Sequence, residues 1–206
     1  MRLAGAVAGA AAAVLVAAGA ITYAVAGDDG AGRTPSAGSA DAGFARDMAV
    51  HHQQAVEMSY IVRDRTEDEE VRRLAYDIAQ TQANQRGMLL GWLDLWGLPK
   101  VSADPPMAWM GMGGTASGED GALMPGMATD TELEKLRGLD GKRAEVFYLQ
   151  LMTDHHKGGV HMAEGCAARC TVGVEKRLAQ GMVEAQESEI ALMADMLEER
   201  GARPRP

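Results

Sequence analysis

Residues 44–58 read FARDMAVHHQQAVEM, and residues 148–162 repeat the same pattern as YLQLMTDHHKGGVHM. At a constant offset of 104 (residue 44 against residue 148), the two segments align their His-His pairs and the flanking methionines. The same offset continues without insertion to Gly97 and Gly201. A match of this length without a gap indicates an internal duplication.

Each copy is predicted to form two amphipathic helices. Apolar residues recur every three or four positions along 44–62, as they do on one face of a helix. Thr66 and Glu69 are predicted to form a capping box at the start of the second helix. That helix should end near Gly97, and its counterpart in the second copy near Gly201. No segment shows the alternation that is typical of strands.

Four such helices predict an all-α, ferritin-like four-helix bundle, built from two tandem helical hairpins with a long crossover linker. A short extra helix is expected over 131–137, with Thr129 and Glu132 as its capping box. The predicted organisation has three parts: a signal peptide or membrane anchor over 1–27, a flexible linker over 28–42, and the bundle over 43–203. Within the bundle, the hairpins are expected at 44–97 and 148–201, and a Met-, Gly- and Pro-rich connection at 98–130 joins them.

The N-terminal segment is expected to direct the chain out of the cytoplasm. Arg2 precedes an uncharged run over 3–27, and Asp28 and Asp29 follow it. The run is long enough to span a bilayer, while residues 24–26 (AVA) fit a signal cleavage site. A cleaved signal and a retained anchor both stay open.

The net charge of −9 argues against nucleic acid as a partner, because a phosphate-binding surface needs a basic stripe. Cys166 and Cys170 are four residues apart, and in an oxidising compartment they favour a local disulfide. An unbroken helix would strain that bond, so a thiol pair or a pair of metal ligands remains an alternative.

The two His-His pairs form the candidate site. Adjacent histidines on a helix point about 100° apart, so one can face the bundle centre and the other a neighbouring helix. In each hairpin the pair should lie level with glutamine and methionine on the returning helix, and the hairpin is the expected unit of function. The candidate metal ligands are His51, His52, Met48 and Met58 in the first copy, and His155, His156, Met152, Met162, His161 and Glu189 in the second.

Imidazole together with thioether predicts copper, with Cu(I) increasingly favoured as methionine replaces histidine. Surroundings poor in carboxylates argue against iron, magnesium and calcium. The chain has no Glu-x-x-His motif, which di-iron bundles require. We therefore expect a protein that is not an enzyme, although metal-dependent redox activity is a third hypothesis.

The connection contains five methionines in 21 residues that are rich in glycine and proline. They predict either a loop that packs over the bundle with methionine as an adaptable filler, or a flexible segment that captures a soft metal. His161 has no histidine counterpart in the first copy, where Glu57 stands, and an ordinary surface position is its alternative reading. The five are Met107, Met110, Met112, Met124 and Met127.

Several motifs carry a resemblance to a known family: Met48-Ala49-Val50-His51-His52, Met152-Thr153-Asp154-His155-His156, Gln82, Gln186-Glu187-Ser188-Glu189-Ile190 and Pro125-Gly126-Met127. They resemble the domain of unknown function 305 family over about 44–201. The resemblance implies a ferritin-superfamily bundle in secreted or envelope proteins of bacteria, some of which are associated with copper binding and copper tolerance. Gln85 stands where that family usually has Glu, while Glu189 keeps it, so the two half-sites need not be equivalent.

The leading hypothesis is therefore a non-enzymatic, extracytoplasmic copper-binding or copper-buffering protein. If one site binds more tightly, the second copy is favoured. The alternative is a structural or interaction module whose histidines are satisfied internally. A metal ion is the expected partner, and a membrane tether and a homo-oligomer stay open.

Overall fold

Five α-helices carry the fold of the residues that this computed structural model describes, 34–113 and 119–206. Within those ranges there is no strand, and the predicted all-α class is confirmed. None of the described helices is long and apolar enough to cross a membrane. The predicted signal or anchor over 1–27 lies outside the described residues. The helices are α1 (Ala40–Arg63), α2 (Glu69–Leu95), α3 (Asp130–Arg137), α4 (Lys142–Arg169) and α5 (Gly173–Glu199).

The helices form two hairpins, α1 with α2 and α4 with α5, and the hairpins meet along α1 and α4. Asp41 at the start of α1 accepts hydrogen bonds from the backbone N–H groups of Thr171 (2.8 Å) and Val172 (2.7 Å), just after the end of α4. Because the start of one helix meets the end of the other, α1 and α4 are antiparallel. This is the predicted bundle of two hairpins with a crossover.

Two predictions at the helix starts are wrong. The helix α1 begins at Ala40, capped by Ser39, so the predicted linker over 28–42 extends too far. The cap of α2 is Asp68, whose Oδ1 accepts from the N–H of Val71 at 2.9 Å. Thr66 lies two residues before this cap, where its buried hydroxyl accepts from the N–H of Asp68 at 3.0 Å and donates to Glu145 on α4 at 2.6 Å.

Three other local predictions are confirmed. Thr129 and Glu132 form the capping box of α3. Gly97 and Gly201 have positive φ after α2 and α5, and the N–H groups of Leu98 and Ala202 each bond back five residues. This pattern is the Schellman motif, and it explains why glycine follows both helices.

The disulfide between Cys166 and Cys170 is also present. Cys170 has an extended backbone, because α4 ends at Arg169, so the bond spans a helix end rather than an unbroken helix. This removes the geometric objection to a spacing of four residues.

The core consists of two apolar clusters. One contains Tyr148 of α4, Leu74 near the start of α2 and Leu197 near the end of α5. The other contains Phe44 and Leu89 together with the part of the crossover around Met107. Neither cluster includes any of the four paired histidines.

Candidate metal centre

The four paired histidines lie in the interior and belong to one cluster, which we call the histidine cluster (His51, His52, His155 and His156). All four are 0% exposed. The rings of His51 and His155 stack with their centroids 3.7 Å apart and a tilt of 32°. The four rings therefore lie together between the hairpins rather than as a separate pair in each, because α1 and α4 pack through the faces that carry them.

Two hydrogen bonds orient the histidines of the second copy. The Nε2–H of His155 donates to the backbone carbonyl of His51 at 2.9 Å. The Nε2 of His156 lies 2.6 Å from Oε2 of Glu189. Because a carbonyl and a carboxylate accept, Nε2 carries a proton in each ring, and in a neutral ring Nδ1 is then the nitrogen with the lone pair. Neither Nδ1 has a hydrogen-bond partner.

The histidines of the first copy are less constrained. Among the described residues, no hydrogen bond of good geometry reaches the ring nitrogens of His51 and His52 or the side-chain amide of Gln82, although polar groups lie close to both rings. Gln82 and Gln85 lie beside His52, and the backbone of Pro125 lies beside His51. Burying polar groups without good hydrogen bonds lowers the free energy of unfolding, so this layer of the core destabilises the protein unless a ligand binds to it.

Burial keeps the rings of His51, His52 and His155 neutral. It lowers the pKa of His51 to about 3 and that of His52 to about 3, and neighbouring imidazoles add to the effect. Burial likewise lowers the pKa of His155 well below its ordinary value. A neutral imidazole has the free lone pair that a metal ion needs.

The four predicted methionine ligands on α1 and α4 differ in how far along the helix they lie from the paired histidines. Met48 and Met162 belong to one apolar cluster, and Met58 and Met152 to the other, so thioethers flank the histidine cluster on both sides. Met48 and Met152 lie one helical turn before the second histidine of their pair, about 6 Å along the axis. Met58 and Met162 follow by six residues, about 9 Å. The first two are therefore the better-placed ligands.

The connection between the hairpins passes over the histidine cluster and contacts both α1 and α4. The side-chain amide of Gln54 on α1 donates to the backbone carbonyl of Ala128 at 2.9 Å and accepts from its N–H at 2.7 Å. A Cβ on Gly158 would overlap the carbonyl oxygen of Pro125, and one on Gly126, where φ is +81°, would overlap the carbonyl oxygen of Asp154. Glycine at these two positions lets the loop lie directly on α4.

The remaining predicted residues lie elsewhere. His161 is exposed on α4, where its Nε2 is 3.4 Å from Sδ of Met112. Met107 and Met124 are buried in an apolar cluster, as the packing alternative predicts for them. Glu189, predicted as a ligand, is the hydrogen-bond partner of His156.

Sequence reasoning missed two carboxylates. Asp47 anchors the connection by accepting from the N–H of Met107 (2.8 Å) and from Nε1 of Trp109 (2.9 Å). Glu175 is fully buried, and its carboxyl group lies beside that of Asp41. Neither has a sequence signal, because an Asp or Glu on a helix ordinarily faces solvent.

The histidine cluster does not bring three ligand atoms of His, Cys, Asp or Glu within 4.8 Å of one another. Among the described residues, the one such group is Cys166, Cys170 and Glu175. The disulfide already occupies both of those sulfurs. A metal in the histidine cluster would therefore need ring rotations or a methionine ligand.

The chain was compared with known proteins. The family described as "Domain of unknown function (DUF305)" matches residues 41–197. The chain belongs to the DUF305 family. A DUF305 protein from Streptomyces coelicolor, described as a candidate secreted protein, is 77% identical, with a TM-score of 0.78 over 83% of this chain and 99% of that one.

Two further solved structures share the fold. A DUF305 fragment from Deinococcus radiodurans is 29% identical, with a TM-score of 0.64 over 78% of this chain and 96% of that one. CopM in its Cu(I)-bound form is 19% identical, with a TM-score of 0.59 over 77% of this chain and 96% of that one. The comparison with curated proteins returned no match.

Proposed function

We propose that this DUF305 chain binds copper as Cu(I) through the histidine cluster and buffers it without catalysing a reaction. The observation that carries the proposal is the orientation of His155 and His156. Each ring donates Nε2–H to an oxygen and turns a buried Nδ1 away from that bond, and neither Nδ1 has a hydrogen-bond partner among the described residues. Metal-ligating histidines characteristically donate their other N–H to a carbonyl or a carboxylate in this way.

The donor set supports copper rather than a harder ion. Neutral imidazoles and the thioethers of Met48 and Met152 are soft or borderline ligands, and Glu189 is engaged by a histidine. When bound, Cu(I) would satisfy lone pairs that the protein leaves unpaired. That CopM, which has the same fold, is known in a Cu(I)-bound form adds support.

An extracytoplasmic location accompanies the proposal. The disulfide between Cys166 and Cys170 requires an oxidising compartment in most organisms. The 77% identical relative from Streptomyces coelicolor is described as a candidate secreted protein. A copper buffer outside the cytoplasm would hold the ion before it enters.

A second candidate function is a structural polar layer without metal. The stacked rings of His51 and His155 and the bond between His156 and Glu189 favour it, since both are internal contacts. Under this alternative, replacing the histidines changes stability and leaves copper affinity untouched.

The deciding experiment is a Cu(I) titration of the full-length chain against a chromophoric chelator. His155→Gln combined with His156→Gln removes both oriented Nδ1 donors at similar volume. We expect Cu(I) affinity to fall on the order of 100-fold or more. Met196→Leu, which removes a buried thioether far from the cluster, is the control and should bind as the parent does. Unchanged affinity in the double variant would overturn the proposal.

A milder pair of variants tests the orientation itself. Glu189→Gln weakens the acceptor that holds His156, and we expect Cu(I) affinity to drop about 10-fold or more. Gln85→Glu installs the same acceptor beside His52 and should raise affinity. Circular dichroism confirms that both variants fold. Equal affinities in the parent and both variants would show that these side chains do not orient a metal ligand.

A further inference from the structure

The connection between the hairpins begins with a fixed turn over 107–112. Met107 is fully buried, and its N–H donates to Asp47. The N–H groups of Met110 and Met112 both donate back to the carbonyl of Met107, at 3.0 and 3.1 Å. The turn is thereby anchored to α1, so it presents the next side chains at a defined place on the bundle.

Two thioethers of this turn lie on one face of α4. Sδ of Met112 is 3.4 Å from Nε2 of His161. Sδ and Cε of Met110 occupy the space beside Gly165, at 2.8 and 2.6 Å from where a Cβ would stand. His161 and Gly165 are four residues apart, which places them on the same helix face. An imidazole and two thioethers are thus neighbours.

Core packing accounts for this arrangement only in part, because Met110 and Met112 pack against the apolar cluster that contains Met107, whereas His161 does not belong to it. Met107 and Met124 of the same connection are at most 4% exposed and fill an apolar cluster. Met110 and Met112 are only partly buried, and His161 is exposed. Packing at the edge of that cluster explains the two methionines but does not require an imidazole there. The exposed ring of His161, 3.4 Å from the sulfur of Met112, completes a soft donor set.

We propose that Met110, Met112 and His161 form a surface site for Cu(I), separate from the buried histidine cluster. The proposal deepens the proposed function and rests on it for the identity of the metal. Since the histidines of the cluster are 0% exposed, incoming copper has to meet the protein elsewhere first. A solvent-accessible thioether and imidazole site would capture the ion.

Titration of the full-length chain with Ag(I), a redox-inert stand-in for Cu(I), tests the site directly. Isotope labelling of the methionine methyl groups gives one NMR signal for each methionine, assigned with Met110→Leu and Met112→Leu. We expect the Met110 and Met112 signals to move together, while the signal of exposed Met88 on α2 stays in place. His161→Gln should weaken that response about tenfold or more.

The same titration in the His155→Gln, His156→Gln protein separates the two proposals. The surface response should persist there, because the surface site shares no ligand with the histidine cluster. Signals of Met110 and Met112 that stay still, or a response that His161→Gln leaves unchanged, would overturn the surface site. If the proposal of a buried site is wrong, the Cu(I) affinity of the double variant will equal that of the parent. That result does not depend on the NMR signals of Met110 and Met112.

Discussion

Gly158→Ala is expected to lower the free energy of unfolding by about 3 kcal/mol, at the upper end of what overpacking costs. The new Cβ would overlap the carbonyl oxygen of Pro125 and lie 3.2 Å from Cα of Gly126. Both neighbours are backbone atoms, so no side-chain rotation can relieve the clash. Ala would otherwise stabilise a helix by about 1 kcal/mol relative to Gly, so the clash must exceed that gain.

The control uses helical glycines that have open space around them. A Cβ on Gly181 of α5 or Gly91 of α2 would meet nothing within 4 Å. Ala at either position should raise the unfolding free energy by up to about 1 kcal/mol. Urea denaturation of the three variants gives the comparison. A Gly158→Ala protein as stable as these controls would show that the crossover does not rest on α4.

Glu175→Gln is expected to stabilise the protein by about 3 kcal/mol at pH 7. Burial raises the pKa of Glu175 from 4.5 to about 9, and the charge of Asp41 adds to the shift. The folded protein therefore keeps this carboxyl protonated at pH 7, whereas the unfolded chain ionises it. Gln occupies a similar volume, can donate to Asp41, and does not ionise in either state.

The sign of the pH dependence follows from that difference. Because the folded pKa lies above the unfolded one, the folded state binds the extra proton between pH 4.5 and about 9. The contribution of Glu175 to stability is most favourable below pH 4.5, declines as the pH rises, and levels off above about 9. The gain from Glu175→Gln should therefore be small at pH 5 and large at pH 8.

Thermal unfolding at both pH values measures that gain. Glu184→Gln, an exposed position on the same helix, is the matched control and should shift the melting temperature equally little at either pH. Parallel pH curves for the parent and Glu175→Gln would contradict a buried, protonated carboxyl. Since Glu175 lies within 4.8 Å of the disulfide sulfurs and outside the histidine cluster, copper binding should not change.

Local signals in the sequence predicted most of the secondary structure. Thr129 and Glu132 cap α3 as expected, because a capping box involves only residues three apart. Gly97 and Gly201 end their helices for an equally local reason, the need for positive φ. The predicted cap of α2 is two residues early, because Asp68 rather than Thr66 accepts from the first turn of the helix. The Thr66 hydroxyl instead donates to Glu145, a partner 79 residues away that no local rule can supply.

Local patterns in the chain were enough to predict four amphipathic helices and to place the two His-His pairs on them, each with a methionine one turn away. The reason is that helical periodicity and capping act over a few residues. Long-range packing instead brings both pairs into one cluster, lets Glu189 orient His156, and places Met112 beside His161. Those contacts depend on how α1 packs on α4 and where the crossover runs, and both are set by residues far apart in the chain.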